Sequence, residues 1–244
     1  VDFSVLVDFS RPLDVGLFDS LAALANDPRH PRRQEASDFM VQLLGHPDMW
    51  TRAPEIFDGC QRLEAKDFGL KALAEAIRTR WRVLPPEQRE GIKNYVLSKI
   101  MALSGTTEGL QATPRVLLHR LNGTLVEVLK QDWPHSWPTF ISDLVQASRA
   151  SESVCENNME ILRLLSEDVF EFSKYEMTSA KAREMKTGLH NEFVQLINLC
   201  NLVLQHSTRS SLLLATLQTL QRFLTWVPLP FIFETVLLEW LVGR

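Results

Sequence analysis

Nowhere does this 244-residue chain hold the roughly 18 consecutive apolar residues that a bilayer-spanning helix needs, so the sequence predicts no membrane segment. The start at Val1 carries neither a basic leader nor a small-residue cleavage site. Cysteine is scarce. Cys60, Cys155 and Cys200 stand far apart among apolar positions, where a thiol behaves as a small hydrophobe, and they lead us to expect a reducing compartment. An excess of one charge is also missing, since 26 basic against 30 acidic residues leave a net charge of −4. That balance argues against direct nucleic-acid binding through counterion release and for a protein as the charged partner.

Chemistry-bearing patterns are missing as well. His30, His46, His119, His135, His190 and His206 are scattered, with no H-E-x-x-H motif and no Cys/His cluster, so no metal is expected. Gly105 and Gly109 flank a linker without the Lys-Ser/Thr that would meet phosphates. No nucleophile, base and oxyanion donors converge in the sequence, and we expect neither an enzyme nor a cofactor. Asn122-Gly123-Thr124 has the form of a glycosylation acceptor but falls inside a predicted helix, and we take it as chance.

What is present is helical periodicity punctuated by proline. Hydrophobic residues make up 45% and charged residues 23%, enough apolar surface for a continuous core. The most telling stretch runs from Leu125 to Val145. Leu125, Val128 and Leu129 recur at helical spacing, Pro134 stops that helix, and Phe140, Ile141, Leu144 and Val145 form the stripe of the next. Ser136 is the expected cap and Pro138 the expected first-turn residue, with Trp133 and Trp137 bracketing the turn. Trp50, Trp81, Trp226 and Trp240 join them as expected core residues.

Taken in order, Asp14 caps a helix with Leu17, Leu21, Leu24 and Ala25, and a second, from near Pro31, presents Ala36, Phe39, Met40, Leu43 and Leu44. Pro47 opens a helix through Trp50, Ile56 and Phe57, and Glu64 begins one with Leu70, Leu73, Ile77 and Trp81 inward. A helix from about Glu87 to Leu103 is closed by Ser104-Gly105, and Thr106–Thr113 reads as a linker. Further helices are expected over about Pro114–Trp133, to near Ser148, from Ser151 to about Phe170, to near Ser207, over Arg209–Trp226 and over Phe231–Leu241. No strand pattern competes. About eleven helices then pair as about five αα-hairpins plus one leftover, at a period of roughly 40 to 50 residues. The predicted class is all-α, a right-handed α-solenoid of HEAT-like helical hairpins forming a single array over 1–244. Val1 in place of Met, and an apolar helical pattern reaching Arg244, lead us to expect a piece of a longer chain.

Several blocks match a known pattern. Arg33-Gln34-Glu35-Ala36, Leu43, Leu44, His46-Pro47-Asp48 and Trp50, followed by Phe68–Pro85, resemble the amino-terminal signature of the importin-β (karyopherin) superfamily over about residues 30–105. Glu90–Val96, Leu129–Ser173 and Arg222–Thr235 resemble its exportin branch, the receptors for leucine-rich nuclear export signals, with an exportin-type region over about 106–244. Ala23–Arg32 and Ser104–Pro114 depart from the pattern, both at turns or linkers.

The resemblance implies an arch of HEAT repeats that binds the GTPase Ran in its GTP state, Phe-Gly nucleoporins at the pore, and export cargo in a groove beyond Arg244, while shuttling between nucleus and cytoplasm. None of the three cysteines is to be equated with the family's reactive cysteine, which also lies further on. The family meets the GTPase through the second helix of its early repeats. At 100° per residue, the positions opposite the apolar stripes are Gln34, Asp38 and Gln42, then Lys71, Glu75, Arg78 and Arg82, then His119, Arg120 and Glu127. Lys71 and Glu75 are spaced to pair. A passive helical scaffold and an importing karyopherin are the alternatives.

Overall fold

The computed structural model describes residues 2–170 and 177–226. Among these are eleven α-helices, two 3-10 turns and no strand. The expected last helix, with Pro228, Pro230 and Trp240, lies outside the described residues, as does the stretch 171–176.

Helix α1 (Val15–Asn26) starts where expected, because the Asp14 side chain accepts from the Leu17 N–H. Helix α2 (Arg33–Leu44) follows. The helix expected from Pro47 is instead a 3-10 turn, Met49–Arg52, leading into a short α3 (Ala53–Gly59) with Pro54 in its first turn. Proline has no N–H to lose there, so the chain restarts a helix at a place where apolar spacing alone suggests continuity.

Helix α4 (Leu63–Arg80) leads to the Pro85-Pro86 break, and α5 (Pro86–Ser104) ends with Gly105 N–H bonded to the Met101 carbonyl. The expected linker after it holds a helix, α6 (Thr107–Ala112), capped by the Thr106 hydroxyl on Gly109 N–H. Its six residues are too few to show periodicity. Helices α7 (Arg115–Asp132), α8 (Phe140–Ala150), α9 (Glu152–Phe170), α10 (Ser179–His206) and α11 (Ser210–Phe223) complete the described part.

The chain divides into two compact units. The first takes the chain up to Ser98 together with Pro114–Glu127, and the second takes Lys99–Thr113 and the chain from Val128 on. In the first, α1 packs on α2 and α3 on α4, around Phe18, Leu21, Leu43, Met49, Ile56 and Phe68. The lead segment is pinned by the buried Arg52. Its guanidinium donates to the carbonyls of Asp8 and Arg11 and lies over the Phe9 ring at 5.3 Å. Both bonds come from Nη2, whose two donors would otherwise be buried unmet, so the segment and the charge need each other.

In the second unit α8 packs on α9, and α9 packs along α11. Trp133 is fully buried, but its ring lies against Gly188 of α10, where an added Cβ would sit 2.5 Å from the ring. The Lys181 ammonium caps the end of α7 by donating to the Trp133 carbonyl at 2.7 Å. Trp137 is half-buried and meets Phe140 edge-on, so the corner is seated by one tryptophan on α10 and not by two. Ser136 does not cap α8. Thr139 holds the N-cap position, and its hydroxyl donates to Asp143. Trp81 is buried as expected, whereas Trp50 and Trp226 are half-buried, Trp226 stacked on Phe170 at 4.4 Å.

Candidate functional site

All ten candidate residues lie in the first unit, on α2, α4, the turn just after α4, and the first part of α7. Gln34, Asp38 and Gln42 are exposed on α2 because Ala36 and Leu43, on the opposite side, are buried against the core. The Gln34 amide donates to Asp38 at 2.8 Å. Lys71, Glu75, Arg78 and Arg82 are likewise exposed, while α4 turns Phe68, Leu70, Leu73 and Ile77 inward.

The expected Lys71–Glu75 pair is not formed. Lys71 binds Asp67 at 2.7 Å and Glu75 binds Arg78 at 3.3 Å. An acid placed four residues before a base is the better order on a helix, because both charges then oppose the peptide dipoles less. The same Asp67 accepts from Arg120 Nε at 2.7 Å, so one carboxylate on α4 holds one cation of its own helix and one of α7. Burial would raise the Asp67 pKa, but the Lys71 and Arg120 hydrogen bonds and charges outweigh it and hold the carboxyl below its usual value.

On α7, His119 and Arg120 are exposed, but Glu127 is half-buried. The helix is buried on most sides by that point, with Val126, Val128, Leu129 and Lys130 all covered, so a single apolar stripe understates its packing. Val41 and Val116 share the exposed faces of α2 and α7 at 69% and 62% exposure, and sequence reasoning missed them. Their signal was an apolar residue on a polar face, which periodicity discards as noise. Asp67 was missed although its spacing to Lys71 was visible; its pairing with Arg120, 53 residues away, was not.

No group of three or more His, Cys, Asp or Glu among the described residues could hold a metal ion. All three cysteines are buried, and burial pushes the thiols of Cys60 and Cys200 up to about 12 and that of Cys155 up to about 11, far from the thiolate form. Asn122 is fully buried in α7, where no glycan fits.

Comparison with known proteins places this fold. The family model described as Exportin 1-like protein matches residues 114–243, and the one described as Importin-beta N-terminal domain matches 36–102. The chain is 43% identical over 239 residues to Exportin-1 of Drosophila melanogaster and 40% identical over 239 to Exportin-1 of Schizosaccharomyces pombe, covering 98% of this chain and 22% of each relative. It is 43% identical over 238 residues to Protein EXPORTIN 1A of Arabidopsis thaliana, covering 97% of this chain and 22% of that relative. The chain thus spans about a fifth of the length of the curated relatives it matches. With helical hairpins throughout the described residues and two family models along its length, this chain belongs to the exportin 1-like protein family, of the importin-β superfamily.

Proposed function

We propose that this chain is the amino-terminal Ran-GTP-binding part of a nuclear export receptor for proteins with leucine-rich export signals. The observation that carries it is the exposed, mixed-charge face of α2, α4 and α7 in the first unit, where Lys71, Glu75, Arg78, Arg82 and Arg120 stand outside the core. The receptor acts by binding and does no chemistry of its own. In the full arch, GTPase and cargo favour one conformation, so each raises the affinity for the other by the same factor, and hydrolysis on the GTPase releases both. Contacts with Phe-Gly nucleoporins carry the receptor through the pore, and it shuttles between nucleus and cytoplasm. The cargo groove lies beyond this chain.

Calorimetric titration with Ran in its GTP and GDP states tests the reading. Binding to the GTP form, weakened about tenfold or more (~1.4 kcal/mol) by joint charge reversal at Lys71, Arg78 and Arg82, is the expected result. Equal affinity for both nucleotide states would instead favour a passive scaffold.

A further inference from the structure

The candidate face contains one acid that serves two of its cations. Asp67 Oδ2 lies 2.7 Å from Lys71 Nζ and Asp67 Oδ1 lies 2.7 Å from Arg120 Nε. The carboxylate itself is largely covered, with a side-chain exposure of 19%, whereas the Lys71 and Arg120 side chains are 48% and 45% exposed. A partner would therefore meet the two cations and not the acid that holds them. Free lysine and arginine side chains lose rotamer freedom when a partner immobilises them; a side chain already fixed by an ion pair has lost it during folding. Two cations on one carboxylate also leave a net positive charge at this spot, Glu75 and Arg78 cancel, and Arg82 adds another positive charge.

We infer that Asp67 is a positioning residue of this face: without touching the partner, it holds Lys71 and Arg120 in place to receive an acidic patch of the GTPase. The inference rests on the GTPase-binding reading above. It makes a prediction of unusual sign. Removing the Asp67 charge makes the face more positive, and by net charge alone an acidic partner would then bind tighter. Positioning requires the opposite, because both cations are released to solvent.

The experiment titrates GTP-loaded Ran into the wild-type chain, Asp67→Asn, Asp67→Glu, Arg120→Gln and the Asp67→Asn/Arg120→Gln double variant, with GDP-loaded Ran titrated into the wild-type chain beside it and a melting midpoint for each. Asp67→Asn is expected to bind at least about fivefold more weakly, since two long side chains must be re-ordered. Asp67→Glu should recover part of the loss, and in the Arg120→Gln background Asp67→Asn should cost less than it does alone. Wild-type binding with an Asp67→Asn affinity equal or higher overturns the inference and leaves the GTPase reading standing. Wild-type chain that shows no preference for the GTP form overturns both. Should Asp67→Asn fail to fold, Lys71→Gln and Arg120→Gln carry the test: each is expected to weaken binding at least about threefold, and an unchanged Kd in both overturns the inference.

Discussion

Helices α4 and α9 are similar in length and each is the central packing helix of its unit, yet they use polar residues in opposite ways. Helix α4 buries alanine and glycine, Ala65, Gly69, Ala72 and Ala76, so neighbours approach closely; a Cβ on Gly69 would sit 3.2 Å from Ile56 and 3.3 Å from the Ala53 carbonyl. Of its charges, Glu64, Lys71, Glu75 and Arg78 are exposed, while Lys66 and Asp67 are half-buried. Helix α9 buries Ser153, Asn157, Asn158 and Ser166 and spends its charges inside the unit. Glu156 binds Arg209 at 3.0 Å, Glu167 binds Arg163 and Arg222 at 2.9 Å each, and Thr219 of α11 donates to the Met159 carbonyl. Register in the first unit is set by shape and in the second by a half-buried polar ladder. The candidate residues lie on the exposed faces of the first unit.

The largest effect should come from the seat that the second unit makes for the α7–α8 corner. Trp133→Ala removes a fully buried indole and is expected to cost about 3–5 kcal/mol in urea unfolding. Gly188→Ala attacks the same contact from α10. The new methyl would fall within 3 Å of two carbons of that fully buried ring, and we expect a net loss of about 1–2 kcal/mol after the helix-propensity gain of alanine. In the Trp133→Phe background the Gly188→Ala penalty should shrink, because a smaller ring relieves the clash. An unchanged penalty would mean that the glycine serves something other than Trp133.

The buried thiols test a feature the two units share. Cys60 belongs to the first unit, Cys155 and Cys200 to the second, and burial raises all three above the ordinary value of 9.0. A raised thiol pKa means that the folded state favours the neutral form. The stability this represents is complete below pH 9.0 and is lost as pH climbs toward the folded values of about 11 to 12. Chemical denaturation between pH 8 and 10.5 should show falling stability above about pH 9, and an aromatic disulfide reagent at pH 8 should label none of the three before unfolding and all three after. Fast labelling of Cys60 alone would separate the units.

Much of this fold was legible because proline, glycine and short polar residues end helices for local reasons. Asp14, Gly105 and the Pro85-Pro86 pair act within a few residues of themselves, and the helices they bound were read correctly. Errors arose where several residues competed for one local role. Ser136 and Thr139 both had cap chemistry, and Thr106 hid a six-residue helix that periodicity could not detect. The candidate face was legible as a set of exposed positions, since opposition to an apolar stripe is a local property, but its wiring was not. Lys71 had acids at both i−4 and i+4, and the choice of Asp67 was reinforced by Arg120, whose approach depends on how α7 packs. Glu127 failed for a related reason: a helix covered on several sides has no single polar face.

Two acids carry the contrast between the helices into measurable form. Glu167 on α9 is 14% exposed and shared between Arg163 and Arg222, so Glu167→Gln removes a charged contact from each, Arg163 keeping Glu160 at 2.7 Å, and should cost about 1 kcal/mol.

Glu75 on α4 is the opposite case, and its effect should be the smallest. Its carboxylate lies 3.3 Å from Arg78 with both side chains about half exposed, at 51% and 46%, and no other helix is involved. Water screens such a pair, and holding it costs the rotamer freedom of two long side chains. Glu75→Gln should therefore change stability by less than about 0.5 kcal/mol, with the difference from wild type vanishing as salt is raised from low to near-molar concentration. The same change removes a negative charge from the face and frees Arg78, so in a Ran titration its effect on association rate and salt dependence should exceed its effect on folding. If Glu75→Gln instead destabilised the chain as much as Glu167→Gln, the Glu75–Arg78 pair would be structural, like the ion pairs of α9.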